Sequence, residues 1–89
     1  MKNVKRVTLT GNWTEVTFDE KAKNYFVKNF SDGDIYVSFE ENDSENTSFK
    51  ISSGIGEVLA INQTATSKPE HFTNTIYIKG TGEVEIEQM

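Results

Sequence analysis

Carboxylates are the most abundant reactive groups in this chain. Asp32 and Asp34 flank Gly33, and Glu40, Glu41, Asp43 and Glu45 follow closely. Calcium takes about six to eight oxygens in a set order, and the D-x-[DN]-x-[DN]-G arrangement that supplies them is absent. The run therefore reads as an Asp-Gly turn and a solvated acidic loop over residues 40–46 (EENDSEN), with its affinity for a cation left open. Glycoside hydrolysis needs a carboxylate pair across a cleft that raises one pKa, and a chain of this size has little volume for one. His71 has no cysteine to work with, and spacing singles out no serine as its nucleophile. Neither Gly54-Ile55-Gly56 nor Gly80-Thr81-Gly82 opens a helix, so neither is a phosphate loop. The chain reads as a non-enzyme that uses neither cofactor nor metal.

Aromatic side chains are the other candidates. Tyr25, Tyr36 and Tyr77 fall on strands, out of phase with Phe26, Ile35 and Ile76, and are expected on the outer face as cross-strand packing residues. Trp13 follows the Gly11-Asn12 turn, and Phe72 sits in a long polar connection, Asn62 to Asn74. These two are the candidate partner-binding residues, as apolar side chains placed where a core does not need them. Asn-x-Ser/Thr triplets begin at Asn12, Asn29, Asn42, Asn46 and Asn62, and reflect a chain rich in these residue types.

The elements that must carry these groups are strands. Glu83-Val84-Glu85-Ile86-Glu87 alternates acid and β-branched residue, which places Val84 and Ile86 on one face and three glutamates on a wet one. Similar alternation marks Val7–Thr10, Thr14–Phe18, Phe26–Phe30 and Asp34–Phe39, with further candidates at Thr47–Ile51, Glu57–Ile61 and Thr75–Lys79. Ser31-Asp32-Gly33-Asp34 and Gly80-Thr81-Gly82 read as tight hairpin turns, the Asp-Gly pair supplying a positive φ. No connection is long enough for a helical crossover. The expectation is an all-β single domain spanning residues 1–89: a small antiparallel β-sandwich or jelly-roll-like barrel of about eight short strands. Its expected core is Val7, Leu9, Val16, Phe18, Phe26, Phe30, Ile35, Val37, Phe39, Phe49, Ile51, Val58, Ile61, Ile76, Ile78, Val84 and Ile86.

Composition narrows the partners. The chain has 89 residues, a formal charge of −5, one histidine, one proline and no cysteine. A domain this small buries only roughly 60–65% of the surface its unfolded chain exposes, and here neither disulfides nor thiolate metal sites add support. Association, with copies of itself or with a larger protein, is the remaining staple. Residues 1–28 hold six of the nine basic side chains, and the rest of the chain is acidic. Only Lys2, Lys5 and Arg6 cluster, too few to hold a polyanion against that field, so nucleic acid is not an expected partner. The N-terminal MKNVKRVTLT lacks a signal-peptide core, and no stretch has the ~20 apolar residues of a membrane helix. Cytoplasmic residence is expected, with export only as part of an assembly.

The order of segments adds a resemblance. VTLTGNWTEVTF (Val7–Phe18), YFVKNFSDGDIYVSF (Tyr25–Phe39), FKISSGIGEV (Phe49–Val58) and IYIKGTGEVEIEQ (Ile76–Gln88) resemble small proteins encoded by tailed bacteriophages and prophages of Firmicutes. The resemblance rests on strand and turn wording and fixes no functional residue. It implies a compact β-sandwich encoded near phage structural genes, a virion accessory component of head or tail. With the residue reading above, the expectation is a non-catalytic structural or assembly protein held on copies of itself or on a larger phage structural protein, without nucleic acid or membrane. The alternative is a carbohydrate- or host-surface-binding module that uses Trp13 and the long loops.

Overall fold

A computed structural model describes residues 3–60 and 72–89. Eight strands account for most of them: β1 (Val4–Thr10), β2 (Thr14–Ala22), β3 (Asn24–Asn29), β4 (Ile35–Ser38), β5 (Phe49–Ile51), β6 (Gly56–Ala60), β7 (Thr73–Lys79) and β8 (Thr81–Gln88). A single 3-10 turn, Glu45–Thr47, interrupts the β4–β5 connection. No helix among the described residues is long and apolar enough to cross a membrane.

The chain doubles back once, between β4 and β5, and its two halves pair antiparallel as β1·β8, β2·β7, β3·β6 and β4·β5. Rolling this ladder up sends alternate rungs into different sheets, and the seams β8·β3 and β7·β4 complete them. The results are a first sheet ordered β1-β8-β3-β6 and a second ordered β2-β7-β4-β5. This is the jelly roll, one of the two architectures the alternation and turn spacing predict.

The turns act differently from expectation. Ser31–Asp34 and Gly80–Gly82 are not hairpins, because the strands on either side of each lie in different sheets. Both carry the chain over the end of the sandwich. Gly33 is also not among the residues with positive φ, whereas Gly11, Gly54 and Gly82 are. The β3–β4 turn is held by side chains instead. Asn29, 1% exposed, donates from Nδ2 to the carbonyls of Gly33 (2.8 Å) and Ile51 (3.0 Å), and its Oδ1 accepts from the Ser31 amide at 2.9 Å. The Ser31 hydroxyl lies 2.6 Å from the same Oδ1, and Ser53 donates to the Ser31 carbonyl at 2.6 Å. A buried amide is tolerable only when its groups are satisfied, and here one side chain ties β3, its turn and β5 together.

The core lies between the sheets and comprises Leu9, Val16, Phe18, Ala22, Tyr25, Val27, Ile35, Val37, Ile51, Leu59, Ile76, Ile78, Val84 and Ile86, with Val7, Phe39 and Phe49 packed against its edge. Two strands contradict the expected phase. On β3 the buried residues are Tyr25, Val27 and Asn29, while Phe26 is half-buried and Phe30 is 55% exposed. On β6 Leu59 is buried and Val58 is 52% exposed. A shift of one residue exchanges the faces of a strand, and these two strands pair, so their inversions go together. Ile61 of the expected core lies outside the described residues.

Tyr25 can face inward because its hydroxyl is satisfied. It donates to the Thr73 carbonyl on the opposite sheet and accepts from Gln88 Nε2 at 3.0 Å. Gln88 also donates to the Glu20 carbonyl at 2.7 Å, a second polar link across the sheets. Burial pushes the Tyr25 phenol above its ordinary pKa. Ring contacts continue from Phe18 to Tyr25 (5.7 Å between centroids), Phe39 (5.9 Å) and Phe49 (6.2 Å).

Candidate functional site

Two surface features remain once the core is accounted for. The first is the outer face of the β1-β8-β3-β6 sheet. Register places Val4, Glu87, Phe26 and Val58 in one row across it, and Arg6, Glu85, Lys28 and Gly56 in the next. Arg6 Nη2 reaches Glu85 Oε2 at 2.8 Å, and Lys28 Nζ reaches Glu85 Oε1 at 3.5 Å. Arg6 holds the Glu85 carboxyl below its usual range, chiefly by this hydrogen bond. The same cations sit over aromatic rings, Arg6 over Phe30 at 5.7 Å and Lys28 over Phe26 at 5.3 Å. The middle of the face is thus ionic, and apolar groups flank it: Val4 (48% exposed), Phe30, Val58 and, in the β5–β6 turn, Ile55 (48%). Phe26 covers Gly56, where a side chain would meet its ring.

The strand edges are closed to addition. Lys5 on β1 pairs with inward-facing Ile86, and Glu57 on β6 pairs with inward-facing Val27, so both edges of this sheet carry an inward-directed charge. Lys5 donates to the Thr17 carbonyl at 2.6 Å across the gap to the other sheet. In the second sheet, edge strand β2 has a register shift between Thr17 and Ala22, and edge strand β5 is three residues long.

The second feature is a groove of about 940 Å³ over the end of the sandwich where the Ser31–Asp34 and Gly80–Gly82 crossings lie. Phe30 and Tyr36 supply aromatic surface from the two sheets, Gly11, Gly33, Gly80 and Gly82 leave backbone in the lining, and Asp32, Asp34, Glu45, Glu83, Arg6 and Lys79 bring charge. Four of these charges are balanced locally: Lys79 pairs with Glu45 at 2.9 Å, Asp34 with Lys50 at 3.3 Å, and Arg6 with Glu85 at 2.8 Å. Asp32 and Glu83 make no ion pair among the described residues. The floor is rigid. Gly82, at φ +120°, stands so close to Ser31 that a Cβ there would lie 2.6 Å from the serine Cβ, and one at Gly80 would lie 2.8 Å from Ile35.

Trp13 and Phe72 are not brought together. Trp13 is half-buried beside the Thr14–Ile78 register pair, while Phe72, 48% exposed, precedes the Thr73–Ala22 pair at the other end of the β2–β7 ribbon. Along β7 at ~3.3 Å per residue they are roughly 20–25 Å apart. Tyr25 is buried, against expectation, and Tyr36 and Tyr77 are half-buried on the outward side of their strands. Pro69, His71 and most of the Asn62–Asn74 connection lie outside the described residues.

The acidic loop uses its own carboxylates. Asp43 accepts from the Ser38 and Thr47 hydroxyls and from the Ser44 amide, bonds that hold its carboxyl below the usual range. Among the described residues no three His, Cys, Asp or Glu side chains are grouped to hold a metal ion. Compared with family models, curated proteins and solved structures, the chain finds no match.

Proposed function

We propose that this chain is a non-catalytic structural or assembly protein of phage or prophage origin, a virion accessory component that works through protein–protein contacts. The observation that carries this reading is the outer face of the β1-β8-β3-β6 sheet, where Val4, Phe30, Ile55 and Val58 are each about half exposed while the strand edges are guarded. Apolar side chains placed outward beside a core that lacks nothing in their register have a use outside the fold.

The occupant we assign is a second copy. A two-fold axis along the strands, between β8 and β3, lays β3 of one copy over β8 of the other and β6 over β1. Lys28 then faces the glutamates of the copy's β8, and Val58 faces the copy's Val4, so the face is complementary to itself. Four strands at ~4.8 Å by about seven residues at ~3.3 Å give a footprint of roughly 400 Å², half the ~800 Å² per partner of a standard interface. The association is therefore weak and concentration-dependent, suited to a part that is secured by many copies or by a larger shell.

The phage origin is supported by the resemblance of the four quoted segments. It is tested by the genes beside this one and by mass spectrometry of purified particles. Capsid, portal or tail neighbours and presence in particles support the reading; a metabolic operon and absence from particles contradict it.

A further inference from the structure

We infer that the groove over the Ser31–Asp34 and Gly80–Gly82 crossings is a binding site for a neutral saccharide. It shares Arg6 and Phe30 with the edge of the proposed self-association face and requires no second copy. Sugars present two kinds of surface: apolar C–H faces that stack on aromatic rings, and hydroxyl groups that need acceptors. The groove offers both. Phe30 and Tyr36 give ring surface, and Asp32 and Glu83, which make no direct ion pair among the described residues although Glu83 lies in the field of Arg6, give carboxylate acceptors able to take paired hydroxyls. At about 940 Å³ and open to solvent, the groove stands at the upper end of small-ligand sites, with room for more than one ring.

Charge decides the sugar class. The lining has four carboxylates against Arg6 and Lys79, so phosphorylated, sulfated or uronic-acid glycans meet repulsion. Rigidity adds to the case. The Asn29–Ser31–Ser53 network and the tight seating of Gly80 and Gly82 fix the floor before any ligand arrives, which lowers the ordering cost of binding. The jelly roll places Phe30, just past the end of β3, and Tyr36, on β4 of the other sheet, at one end of the sandwich, so only the folded chain forms this arrangement.

The experiment is an amide-resolved NMR titration of the full chain with neutral tetrasaccharides of glucose, galactose, mannose and N-acetylglucosamine, alongside a sulfated glycan and a Lys/Arg-rich peptide. At least one neutral sugar is expected to give saturable shifts at Ser31–Asp34 and Gly80–Glu83. Tyr36→Ala and Asp32→Asn each weaken it by about tenfold, with unchanged dispersion elsewhere showing that the fold is intact, and Trp13→Ala leaves it within about twofold. No saturable shift with any neutral sugar, stronger binding of the sulfated glycan or the peptide, or shifts that depend on Trp13 and not on Tyr36 would overturn the assignment. Since the titration reads sugar binding and not solution mass, its failure leaves the assembly reading standing.

Discussion

Gly82 faces Ser31 at a distance that only a hydrogen can occupy: a Cβ at position 82 would sit 2.6 Å from the Ser31 Cβ and 3.1 Å from its Cα, on a backbone with φ of +120°. Gly82→Ala is therefore strained in two ways and is expected to lose about 1–3 kcal/mol, a fall of roughly 4–8 °C in Tm per kcal/mol. Gly33→Ala, whose Cβ would meet nothing within 4 Å and whose φ is not positive, is expected to stay within about 0.5 kcal/mol of wild type. Thermal melts of the two variants make the comparison.

Asn29 is the second structural anchor. Asn29→Ala takes the side-chain partner from the Ile51 carbonyl and the Ser31 amide, and one of two donors from the Gly33 carbonyl, which keeps the Ser31 hydroxyl at 2.9 Å. A loss of about 2–4 kcal/mol in urea unfolding is expected. Ser53→Ala, which removes one bond to the Ser31 carbonyl, costs about 1 kcal/mol.

Stability should fall at both ends of the pH range, for separate reasons. Glu85 and Asp43 have carboxyl pKa values lower in the folded chain than in the unfolded one. The unfolded state thus takes up protons first, and their contribution, full above the ordinary carboxylate range, is lost as pH falls from that range through the lowered folded-state values. Tyr25 is raised above 10.0 by burial, and Tyr77 moves the same way. There the unfolded state releases protons first, so stability declines as pH rises past about 10. Urea midpoints measured across pH check both limbs. Glu85→Gln should flatten the acid limb, and Tyr25→Phe the alkaline one.

Much of the fold was legible because alternation is strict where one face is wet. Val84 and Ile86 between glutamates, and Ile76 and Ile78 around Tyr77, lie where the pattern puts them. On β3 both faces are plausible by hydropathy, and the large rings of Phe26 and Phe30 outweigh Tyr25, Val27 and Asn29. The signal against that choice was Lys28, which shares the Phe26 face and would have put a cation in the core. Asn29, by contrast, can be buried once its amide is satisfied, and its partners come from β5 and from the turn after β3, contacts no local window displays. The groove was hidden for a similar reason. Phe30, Asp32, Tyr36 and Glu83 meet only because short glycine-bearing turns carry the chain between sheets, and a turn that switches sheets resembles a hairpin in its residues.

Self-association through the outer face of the β1-β8-β3-β6 sheet is read out by sedimentation of the full chain across a concentration series. The expected result is a monomer–dimer equilibrium in the micromolar to millimolar range that Val58→Lys shifts to monomer without loss of stability, since the residue is half exposed and touches solvent already. A wild-type chain that stays monomeric throughout the series, or a Val58→Lys variant that associates as strongly as wild type, would contradict it.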